Sequence, residues 1–221
     1  MKFSATFKPM TLFSLRDSNS TSSGAKSLLL PSPYAIKMAF ISQAISLGGV
    51  DFNNIENFRV IRDAKISYRI DGDICVNNCF VKIQKQRDKE PFKSTISFRE
   101  YVYMNGYLEL IFDVSKQADV DFLKQYLYTI NYLGKRSCFY QFIKYNDVPN
   151  IANVEPFNMN KFSIGGVIQE YDDFASKLSF KDVNSYNSST KTMRDKEFLT
   201  LPLQIASSSK SFTMYRNIKC K

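Results

Sequence analysis

Histidine is absent from this chain of 221 residues, and so is tryptophan. Without histidine the chain lacks the commonest neutral-pH proton-transfer group and the commonest metal ligand. Zinc would then require a cysteine cluster. The four cysteines do not form one, because Cys75 and Cys79 are four apart while Cys138 and Cys220 stand alone. They read as four free thiols in a reducing cytoplasm, with a Cys75–Cys79 disulfide as the minor alternative. No Walker loop or dinucleotide fingerprint occurs, since "GGV" and "IGGVI" are too short to qualify. No serine lies in a Gly-x-Ser-x-Gly elbow. Neither a cofactor nor a metal is expected. Long apolar runs are also missing. Residues 28–50 are interrupted by Pro31, Pro33 and Lys37, and "MKFSATFKPM" lacks the apolar core of a signal peptide. The expectation is a cytoplasmic protein with no membrane partner.

What is present is aromatic and basic. Hydrophobic residues make up 44% of the chain, with 13 Tyr and 19 Phe, which supports a proper core and argues against disorder. The length suits one large domain, or one domain with a smaller appendage. A net charge of +9 points to a polyanionic partner, nucleic acid ahead of an anionic membrane.

Periodicity orders the elements. "KFSATF" alternates and predicts a first strand, and residues 16–27 predict a polar mobile loop. Ser32 fits a helix cap and Pro33 the first helical position. Tyr34, Met38, Ile41 and Ile45, with Ile36, Phe40, Ala44 and Leu47, then follow helical spacing up to Gly48 and Gly49. So wide an apolar surface predicts a helix packed on a sheet. Lys37 lies away from the polar stripe of Ser42, Gln43 and Ser46. It reads either as a snorkelling lysine or as a phosphate contact. "AKISYRI" predicts a second strand. A long hairpin follows, and its Lys82 to Thr95 stretch holds Lys82, Lys85, Arg87, Lys89 and Lys93 against Asp88 and Glu90. Asn105-Gly106 signals a further hairpin turn before the strand "GYLELIFDV". A second helix is predicted with Val120, Leu123, Leu127 and Ile130 as its seam, and "NYLGKRSCFYQFIKY" turns and returns as a strand. This order is an α+β, ferredoxin-like or RRM-like plan with an insertion. Residues 1–150 form that domain, with the hairpin at about 72–104. Residues 151–221 form a smaller β-rich extension, in which 184–192 is an exposed loop.

Chemistry is harder to place than binding. Lys135 and Arg136 could lower the pKa of Cys138, but no histidine can act as its base, and its flanks suit a small core residue entering a strand. Metal-free RNA cleavage by Tyr and Lys needs no histidine, yet these residues are too abundant here to mark a site. Single-stranded RNA recognition combines cations for phosphate with rings for stacking. Phe80, Lys82, Lys85, Arg87, Phe92, Lys93, Arg99, Tyr101 and Tyr103 interleave the two along the hairpin. The bland alternative makes Phe80, Phe98 and Tyr101 core residues and the cations a solvated loop.

Four segments, in order, resemble the CRISPR-associated Cas five proteins. They are "LLLPSPYAIKMAFISQAI", "KSTISFREYVY" with its Thr-x(2-3)-Arg-Glu-Tyr pattern, "GYLELIF", and "INYLGKRSCFYQF" with its Leu-Gly-Lys-Arg-Ser turn. The resemblance covers residues 2 to 145. It implies a RAMP-type subunit of a type I Cascade complex that holds the five-prime handle of the crRNA, caps the backbone, and contacts the large subunit and the nearest backbone subunit. Target DNA would be met mainly through the complex. Residues 82–95 would be a thumb over the RNA, with Arg99 at its base, and Gly134, Lys135, Arg136 and Ser137 would meet the handle. Gly134 would let the backbone approach, Lys135 and Arg136 would hold phosphates, Ser137 would donate a hydrogen bond, and Cys138 would pack inward. Some relatives process precursor crRNA with Tyr, Lys and His. Lacking histidine, this chain is expected to bind without catalysing, and a metal-independent endoribonuclease is the alternative. Other relatives serve transposition rather than interference.

Overall fold

Hydrophobic spacing and turn chemistry resolve into four helices and fourteen strands among the described residues. The computed structural model describes residues 1–20, 24–50, 55–87, 90–159, 166–183 and 193–219, without the side chains of 24, 25, 87, 90 and 91. In chain order the first elements are β1 (Lys2–Pro9), β2 (Leu15–Arg16), β3 (Gly24–Ala25), β4 (Ser27–Leu28), α1 (Pro33–Ser46) and α2 (Ile55–Asp63). Next come β5 (Lys65–Ile70), β6 (Asp73–Arg87), β7 (Glu90–Asn105), β8 (Leu108–Asp113), α3 (Gln117–Lys124) and β9 (Tyr140–Asn146). The last are β10 (Glu155–Pro156), β11 (Val167–Phe174), α4 (Phe180–Val183), β12 (Arg194–Leu201), β13 (Leu203–Ser208) and β14 (Phe212–Asn217). The class is mixed and rich in sheet.

The central sheet has the order β5-β8-β1-β9, and all its pairs are antiparallel. Alternation puts Phe3, Ala5 and Phe7 on one face, opposite Phe112, Leu110 and Leu108. Helix α1 covers that face, with the Phe40 ring 5.5 Å from Phe112. Its N-terminus forms as its residues predict: Ser32 Oγ accepts from the Ala35 N–H and Pro33 opens the first turn. The opposite side of α1 meets β11, where the rings of Tyr34 and Phe174 are 5.1 Å apart. So α1 is clamped between a sheet and a ribbon, more than the expected one-sided packing. Ile45 and Leu47, placed on its apolar rows by spacing, are exposed at its end. Helix α2 was not predicted. Its nine residues bury Phe58 and Ile61, too short an apolar repeat to stand out.

Asn105-Gly106 does not make the hairpin its sequence signals. Strand β7 pairs with β6, whereas β8 pairs with β1 and β5. The chain crosses between sheets here, and its other crossing, at Gly72, lies against it. A Cβ on Gly72 would overlap the Asn105 carbonyl, and one on Gly106 (φ +143) would come within 2.8 Å of the Gly72 Cα. The Asp71 carboxylate closes the neck by accepting from the Tyr107 N–H at 2.5 Å.

The second sheet, β13-β14-β6-β7-β3, explains the last third of the chain. Strand β14 lies along the stem of β6, from Tyr215 opposite Ile74 to Phe212 opposite Asn77. Beyond Asn78 the β6–β7 arm continues with no further support from β14. The expected boundary near residue 150 has no counterpart in the packing. Phe3, Phe40, Tyr171 and Leu203 belong to one continuous core. Part of the loop expected at 16–27 is paired instead: β2 with β4, and β3 parallel to β7. The loop expected at 184–192 lies outside the described residues.

Candidate nucleic-acid interface

The turn at 131–139 is built from its backbone outward. Leu133 N–H donates to the Cys138 carbonyl at 3.2 Å, Cys138 N–H to that of Lys135 at 2.9 Å, and Tyr140 N–H to that of Asn131 at 3.0 Å. Gly134 takes φ +87, and a Cβ there would come within 2.6 Å of the Leu15 side chain. Only glycine fits both constraints. Leu133 and Cys138 point into the core, while Lys135, Arg136 and Ser137 are exposed. The turn therefore lifts two adjacent cations off the protein, and Cys138 packs inward as expected.

The segment 10–13 ties this turn to the hairpin. Met10 N–H donates to the Phe139 carbonyl at 3.0 Å, and Thr11 Oγ1 donates to that of Ser137 at 3.2 Å. Phe13 exchanges backbone bonds with Val102 on β7 at 3.0 and 2.7 Å. Arg99 lies three residues further along the same strand, roughly 10 Å away at ~3.3 Å per residue.

On the hairpin, register separates the cations. Phe80 faces Phe98 and Lys82 faces Ile96 on one surface. Cys79 faces Arg99 and Lys85 faces Lys93 on the other. Phe80 is 78% exposed, with its ring 5.5 Å from that of Phe98, so the core reading of Phe80 fails. The Lys85–Lys93 pair sets two cations directly opposite each other on that surface. Lys89 lies outside the described residues, and so does the side chain of Arg87.

Pairing divides the cations into two populations. Arg59, Arg62, Arg194, Lys196 and Lys219 each bond a carboxylate. Among the described residues, Lys82, Lys85, Arg99, Lys135 and Arg136 have no such partner. Lys37 joins the first population, which corrects its assignment as an RNA contact. It is 3% exposed, and its ammonium donates to the Arg62 carbonyl at 2.8 Å and pairs with Asp173 at 2.7 Å. A phosphate would have to break that pair inside the protein.

Beside Gly134 and Lys135 opens a groove of about 450 Å³ with Arg16, Tyr34, Met38, Tyr132 and Arg194 among its lining. The Arg194 guanidinium stacks 4.1 Å over the Tyr34 ring while bonding Asp172. Neither Arg16 nor Arg194 was singled out in the sequence. They are 178 positions apart and meet only through the packing of α1 against β11. The outer face of the central sheet offers no stacking platform. Its central-strand positions are Ser4, Thr6, Glu109 and Ile111, all buried. An RRM carries aromatics there.

Cys75 and Cys79 are free, two strand turns apart on one face of β6, and Cys220 lies outside the described residues. Among the described residues no group of three or more candidate ligands could hold a metal ion. No described helix is long and apolar enough to cross a membrane.

No protein-family model matches the chain. The CRISPR-associated protein Cas5 of Archaeoglobus fulgidus is 27% identical to it over 189 residues, 80% of this chain and 81% of that protein. Across four-fifths of its length, then, the chain is similar to a Cas5 protein. A crystal structure of a CRISPR protein from the same organism aligns over 98% of this chain and 91% of its own, with a TM-score of 0.49 and 8% identity, a likeness too slight to bear on function. Within this chain the segments that resemble Cas five proteins have distinct structural tasks. In "SFREYVY" Glu100 accepts from the Ser27 N–H at 2.7 Å and so fastens β4 to the hairpin, while Arg99 keeps its charge unpaired. In "LGKRS" the glycine makes the turn and the cations are displayed.

Proposed function

We propose that this chain is the non-catalytic guide-RNA-binding subunit of a type I Cascade complex. It holds the five-prime handle of the crRNA and caps the backbone beside the large subunit, in the cytoplasm. The observation that carries the reading is the set of five cations without a carboxylate partner on the β6–β7 arm and the 134–137 turn, with the exposed Phe80 ring among them. A displayed cation beside an exposed ring is the chemistry of single-strand binding. The element order and the β5-β8-β1-β9 sheet support reading the chain as a ferredoxin-like RAMP domain, with the arm as its thumb. Lys82 and Ile96 flank Phe80 for stacking, and Arg99, Lys85 and Lys93 face the phosphates from the other side.

The test is handle-RNA binding by the assembled complex carrying Lys135→Ala and Arg136→Ala. Affinity should fall by at least tenfold, and unchanged affinity with unchanged assembly would remove the turn from the interface. The same protein incubated with repeat RNA in chelator should leave it intact. Specific cleavage would make it a metal-independent nuclease instead.

A further inference from the structure

The outer face of the central sheet, away from α1, bears one row from edge to edge: Arg69 on β5, Glu109 on β8, Thr6 on β1 and Lys144 on β9. Residues 147–154 cross this row as a strap. Its backbone and asparagines are pinned. Asn150 donates from its N–H and Nδ2 to the Glu109 carboxylate at 3.3 and 2.8 Å. Asn153 exchanges two hydrogen bonds with Ile70 at 3.0 and 2.7 Å. The N–H groups of Asn153 and Val154 both donate to the Tyr68 carbonyl, at 3.1 and 3.2 Å. Arg69 donates to the Ile151 carbonyl at 3.3 Å.

A strap held this firmly nevertheless displays aliphatic side chains. Val148 is 87% exposed and Ile151 86% exposed. Ile143 and Tyr107 are also exposed and face each other across a cavity of about 470 Å³ beside the strap. One exposed aliphatic residue is ordinary, but two within a short segment on a pinned backbone, beside a cavity that Asn150 of the strap lines, form a preorganised contact surface. Val148 and Ile151 at the crest of the strap give a base nothing to stack on, and they suit a protein partner. Charge narrows the partner further. Glu109 and Asp71 are spent on internal hydrogen bonds. Lys144 has no partner among the described residues, and Lys8 only overlies the Tyr107 ring at 5.9 Å. On the strap itself Asp147 accepts from the Tyr145 hydroxyl at 2.8 Å, and the cations offered on the sheet face beside it are Lys144 and Lys8.

We propose that this face docks a protein subunit through an aliphatic ridge flanked by carboxylates, the ridge seating on Val148 and Ile151 and a carboxylate reaching Lys144. The proposal rests on the reading that the chain works inside a ribonucleoprotein complex. It is tested by coexpressing the chain with the crRNA and the effector subunits encoded with it, as wild type, as Val148→Asp plus Ile151→Asp, and as Lys144→Glu. Incorporation is read by native mass spectrometry, and handle-RNA affinity is read separately on the purified chain. Both variants should melt like the wild type, because the changed side chains are exposed, and should keep its RNA affinity. Incorporation should fall at least tenfold for the aspartate pair and severalfold for Lys144→Glu. Wild-type incorporation of the aspartate pair would overturn the proposal. So would a wild-type dimer that the aspartate pair converts to monomer, which would make the occupant a second copy, or a crosslink from the strap to RNA. A wild-type chain that joins the complex through the strap yet binds no handle RNA would overturn the RNA reading alone.

Discussion

Lys37 Nζ lies between an Asp173 carboxylate and the Arg62 carbonyl, in a place where burial pulls the ammonium below the ordinary lysine range while Asp173 partly restores it. Burial likewise pushes Asp173 upward against the pull of Lys37. Lys37→Met should leave a mostly buried carboxylate without its partner and cost about 2–3 kcal/mol, read by denaturant unfolding, since Asp173 retains some solvent contact. Adding Asp173→Leu should recover most of that loss. Glu109 illustrates the opposite balance. Burial opposes its charge, yet hydrogen bonds from Ser4 and Asn150, with Arg69 nearby, hold its pKa below the ordinary glutamate value. A depressed folded-state pKa means that the unfolded chain binds the proton first as pH falls. This stability is fully present above the ordinary glutamate pKa and is lost as pH drops through the lowered one. Glu109→Gln should therefore flatten the acid limb of a stability–pH curve, and an unchanged limb would mean that Glu109 is not among the groups that set it. Ser32 and Pro33 were legible because capping is a local matter. The fate of Lys37 was not, because its partner lies 136 positions away.

At the scale of elements, the β6–β7 arm has a braced stem and an unbraced end. Strand β14 and the Phe13–Val102 bridge support the stem, and the paired glycines at 72 and 106 let both strands leave the central sheet at one point. Replacing residues 82–96 by Asn-Gly should therefore shift the melting midpoint by no more than about 5 °C, since the part removed lies beyond the β3 and β14 pairings and adds little to the core. The same deletion should abolish handle-RNA binding. A collapse of the melting transition would show that the outer arm holds the fold together. The arm itself was legible from its alternation and its charge. Its brace was not, because hydrogen bonding between β14 and β6 joins stretches that share no local signal. The Asn105-Gly106 dipeptide shows the same limit. It specifies a tight change of direction, but which sheet receives the next strand depends on where Leu108, Leu110 and Phe112 find their partners.

At the scale of the whole molecule, part of the net charge of +9 is spent internally: paired cations fasten α1, α2 and the β11–β12 ribbon, while those on the arm and the turn remain among the cations without a carboxylate partner. Five phosphate contacts predict a salt slope of about −3.5 for handle RNA, or roughly a hundredfold loss of affinity between 50 and 200 mM salt. Titration of the complex checks this, and a slope near zero would mean that these cations do not meet the backbone of the RNA. By itself, the sequence determined the succession of β1, α1, β5, β6, β7, β8, α3 and β9 (though not α2 between them), the cap of α1 and the inward Cys138. Each of these follows from short-range periodicity, backbone sterics or burial of an apolar side chain. Only the tertiary structure decided that Lys37 is spent internally, that Arg16 and Arg194 share a groove with Lys135, and that the last strands brace the arm. A charge is free or paired according to what long-range packing brings beside it, and no local pattern encodes that neighbour.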